Sequence, residues 1–282
     1  MITRLSEATR SCGDFIRDVA RTRTVFENYL SVGGIAGVVL PGRIPPRRGL
    51  PRLMERRIEF RTRLGPVLET EIGNAWPIVK IFRDWQFSVP LDWSAVARVV
   101  EVGGHVGSFA VWAAACAPRA NVVTFEPEPR NFRDLERNVR RNDLGERVVR
   151  VNAAVAAEDG RRALKVPIQR NRASVAPRTG EKAAAHEVEC IGLERYLKRE
   201  VTGTIDVLKL DCEGAEWEIL PSLSRETFGR TRHVLVGCHA RDTAQVGEMR
   251  ALLARQGFRS RVVERGSDPE YPLLVTLWAQ RT

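Results

Sequence analysis

The sequence predicts an α/β fold with a doubly wound parallel sheet, and three observations carry this prediction. From residue 96 onward, short apolar runs alternate with segments of helical periodicity, which is typical of a parallel sheet with crossover helices. One run ends in Glu101 and passes through closely spaced glycines into an alanine-rich segment, which indicates a strand, a tight turn and a helix. A second run ends in Glu126. Strand ends of this kind form the edge at which open α/β sheets bind ligands.

The individual elements follow this alternation in chain order. Strands are predicted at residues 97–102, 121–126, 148–155, 205–210 and 233–237. Helices are predicted at residues 107–117, 129–142, 215–220 and 243–256. The segments 161–167 and 186–190 are an inserted pair of extended segments around a polar loop. The segments 259–263 and 273–279 form an antiparallel hairpin that ends the sheet.

An N-terminal extension, residues 1–90, precedes the main domain at residues 91–282. Residues 1–30 have a loose helical spacing of apolar side chains, and a Gly/Pro/Arg-rich segment follows at 33–51. The segments 58–62 and 67–72 flank a Leu-Gly-Pro turn and predict a hairpin, and 77–82 and 85–89 are predicted as short strands. We expect this helical and hairpin extension to cap the main domain.

Composition restricts the function classes. The chain has 282 residues, 43% hydrophobic and 28% charged, with a formal net charge of +10. The basic residues are interleaved with acids, apart from an arginine excess at residues 47–63, so a solvated face is favoured over a nucleic-acid surface. The five cysteines form no CxxC or Cys/His cluster, so neither a disulfide framework nor a metal site is assigned. The polar residues 1–23 lack a signal peptide, and the apolar run 32–40 is too short to span a bilayer, so we expect a cytoplasmic location.

The glycine-rich turn after the first strand predicts a nucleotide-type site. Gly103 lets the backbone approach a ligand closely, and Gly107 lets the helix start close to the sheet. A dinucleotide fingerprint requires GxGxxG, and His105 occupies its second glycine position, which disfavours a dehydrogenase. The spacing fits an acidic residue followed by x-G-x-x-x-G. Glu126, about 20 residues beyond the loop, is placed to accept ribose hydroxyls.

Three blocks of sequence together resemble the FkbM family of S-adenosylmethionine-dependent methyltransferases. They are VEVGGHVG at residues 100–107, TFEPEP at 124–129 and LKLDCEGAE at 208–216, and their order and spacing match the family. The resemblance implies a seven-stranded, Rossmann-like class I methyltransferase sheet whose last strand is antiparallel. The implied activity is methyl transfer from S-adenosylmethionine to a hydroxyl of a sugar or secondary metabolite, with S-adenosylhomocysteine as the other product.

The resemblance also implies which residues hold the cofactor. Glu101, Gly103 and Gly107 would lie against its methionine and ribose parts, and Glu126 would hold the ribose hydroxyls. Residues near the adenine would be Asn152, Ala153 and Ala154. The other cofactor-binding candidates, in these blocks or directly after them, are Gly104, His105, Ser108, Pro127, Asn131 and Asp211.

Three residues are candidates for catalysis. The resemblance places Asp211 and Glu213 at the methyl-transfer site, as a base, as groups that orient the acceptor hydroxyl, or as oxygen ligands of a divalent cation, which the sequence does not itself indicate. Alternatively, Asp211 and Glu213 have a structural role and stabilise the N-terminus of the helix that follows them. His239, just past a strand end, is the first candidate base because histidine titrates near neutrality.

The chain departs from the family pattern in two places. The family usually has Asp-Val-Gly-Ala-Asn-Ile-Gly in the first block, whereas this chain carries Glu101, Gly104 and His105. After the fifth strand the family often has Glu-x-His, and here Gly237 replaces the glutamate while His239 remains.

Two other function classes stay open at this point. One is an RNA or N-methyltransferase, which the positive charge encourages, although no Asn-Pro-Pro-Tyr-type motif follows Leu210. The other is a non-catalytic binding protein with a degenerate cofactor site. We expect a small-molecule acceptor and no nucleic acid, with a homodimer left open. The loop residues Asn171, Arg172 and Ser174 are interpreted as an ordinary exposed loop.

Overall fold

The computed structural model describes residues 23–28, 54–83, 89–166, 184–266 and 271–282. The chain divides into two compact units, Met1–Phe87 and Ser88–Thr282. The predicted boundary after residue 90 lies three residues beyond this division. The loop at 171–174 and the part of the arginine-rich segment at 47–53 lie outside the described residues.

The first unit contains a hairpin and a helix. Strands β1 (Arg57–Arg61) and β2 (Val67–Glu71) pair antiparallel, and Gly65 lies in the turn between them with a φ of 105°. Phe26 bridges to Thr62 and packs its ring against Phe60, with ring centroids 5.6 Å apart. The hairpin therefore has the predicted place in the chain.

The predicted strand at residues 77–82 is wrong, because this segment is helix α1 (Trp76–Arg83). The buried residues of α1 are Ile78, Val79, Ile81 and Phe82. Their spacing of one, three and four residues forms a single helical stripe, which a short apolar run does not distinguish from a strand. The predicted strand at 85–89 falls almost entirely outside the described residues.

The second unit is built on one large sheet. Its strands are β3 (Arg98–Val102), β4 (Asn121–Phe125), β5 (Val148–Val151), β9 (Ile205–Leu210), β10 (Thr231–Ala240), β11 (Phe258–Gly266) and β12 (Leu273–Arg281). Their order is β5-β4-β3-β9-β10-β12-β11, and β12 runs antiparallel to both of its neighbours. The other pairings are parallel. The predicted seven-stranded sheet with an antiparallel last strand is confirmed.

Helices connect these strands. They are α2 (Ser108–Cys116), α3 (Pro129–Arg141), α4 (Leu193–Glu200), α5 (Glu216–Ser222), α6 (Arg225–Gly229) and α7 (Thr243–Arg255). Helix α2 is apolar on all sides and is almost entirely buried, whereas α3 buries only a stripe and exposes its arginines. The sequence prediction did not include α4 and α6.

The predicted third strand, 148–155, is two strands. After β5 the chain leaves the large sheet at Asn152, whose side-chain amide donates a hydrogen bond of 2.8 Å to the backbone oxygen of Glu126. Strand β6 (Ala154–Ala156) then joins β7 (Gly160–Val166) and β8 (Ala184–Gly192) in a separate three-stranded sheet. The inserted pair is therefore present and antiparallel, and it recruits the end of the predicted third strand.

Asp206 fastens the amino end of the large sheet. The buried carboxylate accepts hydrogen bonds from the backbone N–H groups of Ala97 and Arg98, at 2.8 and 2.9 Å, and it pairs with Arg232 at 3.0 Å. Since β3, β9 and β10 are neighbours in the sheet, one side chain ties the starts of three strands.

We expect Asp206→Ala to lower the free energy of unfolding by about 1–2 kcal/mol, because two partly buried backbone N–H groups lose their acceptor. Arg232→Ala removes only the ion pair with Asp206, and the Arg232 side chain is 63% exposed. The free energy of unfolding should therefore fall by less than about 1 kcal/mol. Urea denaturation of both variants tests this difference. Equal losses would show that the ion pair, and not the backbone contacts, carries the effect.

Candidate functional site

The glycine loop lies where three strand ends meet. Gly103 has a φ of 87°, and a Cβ atom there would lie 2.0 Å from the backbone oxygen of Asp211. The N–H groups of Gly103 and Gly104 donate to the backbone oxygen of Phe125, at 3.1 and 2.8 Å. The loop after β3 is therefore wedged between the ends of β4 and β9. This is the point at which the strand order reverses, where doubly wound sheets bind their ligands.

Glu101 is buried beneath this loop. Its carboxylate accepts hydrogen bonds from Lys209 Nζ at 3.0 Å and from Thr124 Oγ1 at 2.8 Å, and its side chain is 1% exposed. Lys209 also donates to the backbone oxygen of Gly103 at 3.3 Å. Burial lowers the pKa of Lys209, but attraction by Glu101 and Asp211 outweighs it and leaves this pKa above its ordinary value. The ion pair lies beneath the loop, and the Glu101 carboxylate bridges the two strands beside β3, which are β9 and β4.

Glu126 is a buried carboxylate at the end of β4. It accepts backbone N–H donors from His105 at 2.7 Å and from Glu128 at 2.9 Å, and the Asn131 amide lies 3.5 Å away. Burial raises the pKa of Glu126 to about 7, although the N–H donors from Glu128 and His105 oppose that rise. These hydrogen-bond donors are neutral, so further donors such as a diol would stabilise its ionised form.

The other cofactor candidates surround this carboxylate. Ser108 begins α2 and is buried, and Pro127 lies between Glu126 and Glu128, of which Glu128 is the N-cap of α3. Ala153 and Ala154 are buried where the chain passes from β5 to β6. The structure therefore places the predicted cofactor residues along the carboxyl ends of β3, β4 and β5.

The catalytic candidates form a cluster of carboxylates around one histidine. His239 Nε2 lies 3.6 Å from Glu213 Oε1 and 3.9 Å from Asp211 Oδ1, while Nδ1 lies 3.1 Å from Glu216 Oε1. Glu213 has a φ of 54° and begins the sharp turn between β9 and α5. His239, Asp211 and Glu213 therefore come together at the carboxyl ends of β9 and β10.

Two aromatic residues enclose the cluster. Tyr271 packs edge-on against the His239 ring, with centroids 5.1 Å apart, and its hydroxyl donates to the backbone oxygen of Glu213 at 3.1 Å. The indole N–H of Trp217 donates to the backbone oxygen of His239 at 3.0 Å. These contacts hold the imidazole between β10, the turn after β9 and the chain before β12.

The charge of His239 depends on its neighbours. Burial alone would lower its pKa, but Glu213 and Glu216 raise that pKa well above its ordinary value. The two carboxylates therefore favour the protonated form of the imidazole.

Gly237 lies beneath the Asp211 carboxylate. A Cβ atom at this position would lie 2.7 Å from Asp211 Oδ1. The carboxylate thus fills the space beside β10 that a side chain at residue 237 would need. This contact is a physical reason why residue 237 is glycine, at the position where the family pattern Glu-x-His has its glutamate.

Several residues of the site were not candidates from the sequence. They are Lys209, Glu216, Trp217 and Tyr271. Lys209 had a signal, because a lysine inside the apolar strand at 205–210 requires a buried partner. Glu216 was the last acid of the third block, but its contact with His239 depends on how β9 and β10 are paired.

Two further findings concern the described residues alone. In this part of the chain, no group of three or more His, Cys, Asp or Glu side chains is arranged to hold a metal ion. Among the helices described, none combines the length and apolar character that a membrane crossing needs.

Fold and comparison together define the class of protein. The strand order with its antiparallel seventh strand is the class I Rossmann-like methyltransferase fold. The FkbM methyltransferase domain matches residues 101–260, which is more than half of the chain. The chain therefore belongs to the FkbM methyltransferase family.

Individual relatives are distant. Methyltransferase sdnD of Sordaria araneosa is 26% identical over 167 residues, which cover 49% of this chain and 64% of that protein, less than two thirds of its length. An O-methyltransferase from Bacillus cereus solved with SAH is 12% identical, with a TM-score of 0.42, over 66% of this chain and 74% of that one. A precorrin-6y C5,15-methyltransferase from Geobacter metallireducens is 11% identical, with a TM-score of 0.41, over 69% and 84% of the two chains.

We expect the buried pair beneath the loop to be strongly coupled. Lys209→Met leaves the Glu101 carboxylate without its cation, and it should cost about 3–5 kcal/mol of unfolding free energy. Adding Glu101→Gln should recover much of that loss, because the uncompensated charge is removed. Urea denaturation of the two single variants and the double variant measures the coupling.

The exposed pair of Arg161 and Glu187, each side chain 63% exposed, is the matched control, with an expected coupling below about 1 kcal/mol. Additive losses for Glu101 and Lys209 would contradict the assignment of a buried ion pair.

Proposed function

We propose that this protein is an S-adenosylmethionine-dependent O-methyltransferase that acts on a hydroxyl of a sugar or secondary metabolite. The observation that carries the proposal is the His239 imidazole, which Glu216 contacts at Nδ1 and whose Nε2 faces Asp211 and Glu213. The proposal also takes over from the sequence a cytoplasmic location and a small-molecule acceptor, with a homodimer left open.

The residues at the strand ends fit the cofactor. Glu126 is a buried carboxylate whose described hydrogen bonds come from neutral N–H donors, and the two hydroxyls of a ribose would supply further donors to it. Gly103 and Gly104 keep the loop free of side chains at this edge. When bound, S-adenosylmethionine supplies an electrophilic methyl group. Asp211 adjoins both the glycine loop and the His239 cluster, so it is the residue at which cofactor and acceptor would meet.

An alcohol acceptor requires a base, because a neutral hydroxyl is a poor nucleophile. His239 takes the hydroxyl proton at Nε2, and Asp211 and Glu213 accept hydrogen bonds that orient the acceptor. Their exposed fractions of 36% and 18% leave both carboxylates accessible, whereas the His239 ring is largely enclosed. Two alternatives remain if the following experiments fail. One is an RNA or N-methyltransferase, and the other is a binding protein without activity.

Cofactor affinity should depend on the charge of Glu126. Its pKa of about 7 means that the carboxylate is ionised above neutrality and protonated below it. Hydroxyl donors prefer the ionised form, so the affinity for S-adenosylhomocysteine should fall as the pH is lowered, by up to about tenfold per unit below this pKa. Isothermal titration calorimetry between about pH 8 and about pH 6 measures it. In Glu126→Gln the affinity should be lower, and this pH dependence should be absent; the same slope in that variant would exclude Glu126 as its source.

Removing the base should impair turnover and spare cofactor binding. We expect His239→Ala to lower kcat by about 10²-fold or more, with the dissociation constant for S-adenosylhomocysteine within about threefold of the parent value. His233→Ala is the matched control, because His233 is on the same strand six positions earlier and stacks on Trp278. Near-normal turnover of His239→Ala, or an equal loss in His233→Ala, would refute the base assignment.

The pH profile should report the acids around His239. Because the base must be neutral, kcat/KM should rise with pH through a pKa well above that of an ordinary histidine. Glu213→Gln removes a charge that raises this pKa, so the rising limb should move to lower pH, whatever the variant's maximal rate. A limb that does not move in Glu213→Gln would place the titrating group elsewhere.

A further inference from the structure

Glu216 is the acid of the cluster that lies deepest in the protein. Its side chain has an exposed fraction of 0%, whereas those of Asp211 and Glu213 are 36% and 18% exposed. It is the first residue of α5, and it reaches from there to the end of β10. A group so enclosed does not contact an acceptor, so its role has to lie in what it does to its neighbours.

Four polar groups, three of them hydrogen-bond donors, contact the Glu216 carboxylate. Oε1 accepts the backbone N–H of His239 at 2.8 Å and lies 3.1 Å from His239 Nδ1. Oε2 accepts the backbone N–H of Gly214 at 2.9 Å and lies 3.6 Å from Cys212 Sγ. An ionised carboxylate has about four lone-pair sites and no donor, so these groups use its whole capacity. A glutamine would turn an N–H₂ group toward one of the two backbone N–H donors.

This saturation determines the tautomer of His239. Because Glu216 Oε1 can only accept, the hydrogen bond to Nδ1 requires the proton on Nδ1. In the neutral imidazole, Nε2 then carries the lone pair, and it is the nitrogen that faces Asp211 and Glu213.

We propose that Glu216 is a positioning residue, which holds the neutral His239 ring with its proton on Nδ1 and its basic Nε2 directed at the acceptor hydroxyl. The catalytic consequence rests on the proposed function, whereas the tautomer itself does not. In the reaction the acceptor O–H bond breaks and a bond from that proton to Nε2 forms. The oxygen would use the freed electron pair to bond the methyl carbon while the carbon–sulfur bond of the cofactor breaks, its electron pair going to sulfur and leaving S-adenosylhomocysteine. Glu216 would stabilise the resulting imidazolium.

The titratable groups around the ring come from several elements of the described chain. Asp211 and Glu213 approach from the turn after β9, Glu216 from α5, and the Tyr271 ring from the segment before β12. Asp211 and Glu213 face Nε2 and favour a proton there, so the Nδ1–H form in the neutral ring depends on the contact with Glu216. The tautomer therefore separates the role of Glu216 from that of the other two acids.

The test is ¹⁵N NMR of histidine-labelled protein, recorded above the pKa of His239. The parent protein should show the Nδ1–H form. Glu216→Gln should shift the ring toward the Nε2–H form and lower kcat by about 10²-fold or more, with the affinity for S-adenosylhomocysteine unchanged. Glu218→Gln is the matched control: it lies in the same helix and pairs with Arg162, and it should leave both the tautomer and kcat as they are in the parent.

The outcomes are distinct. An Nε2–H tautomer in the parent protein would overturn the proposal. This measurement needs no variant, so the proposal can be tested even if Glu216→Gln does not fold. An Nδ1–H form that persists in Glu216→Gln would overturn it as well. If the tautomer behaves as expected but the parent transfers no methyl group to alcohols, the positioning by Glu216 stands and the proposed function fails.

Discussion

The carboxylate of Glu216 receives hydrogen-bond donors from two separate parts of the chain while its own residue begins a helix. It binds the turn after β9 through Gly214, and it binds the end of β10 through the backbone and ring of His239. Burial would make a lone carboxylate costly, but charge-assisted hydrogen bonds to several donors offset that cost. The geometry of the turn, the start of α5 and the orientation of the imidazole therefore depend on one another.

Acidic and basic side chains alternate from the glycine loop to the cluster of carboxylates around His239. Glu101 on β3 pairs with Lys209 on β9, Lys209 is attracted to Asp211, and Asp211 lies 3.9 Å from His239, whose other nitrogen meets Glu216. Each charged group thus has an opposite charge on the neighbouring strand or turn, which is how ionisable groups are retained in a buried layer. Although the chain has a net charge of +10, it presents carboxylates at this edge of the sheet.

The sequence predicts the large sheet well, because each strand of a buried parallel sheet is an apolar run bounded by turn residues. It fails where a local pattern has two solutions. Residues 77–82 form a helix because their apolar side chains also make a helical stripe, and 148–155 is divided because Asn152 leaves the sheet for the Glu126 backbone. The candidates Asp211, Glu213 and His239 were found from the third block and a strand end. The contact between Glu216 and His239 was not predicted, because these residues are 23 positions apart and meet only through the pairing of β9 with β10.

The proposed methyl transfer depends most directly on which adenosine cofactor the glycine loop binds. Calorimetric titration of the purified protein with S-adenosylhomocysteine and, in parallel, with NAD decides this, because Glu126 suits the ribose of either while His105 breaks the dinucleotide spacing. We expect micromolar binding of S-adenosylhomocysteine at mildly alkaline pH and no binding of NAD. Binding of NAD, or of neither compound, would contradict a methyl-transfer site at the ends of β3, β4 and β9.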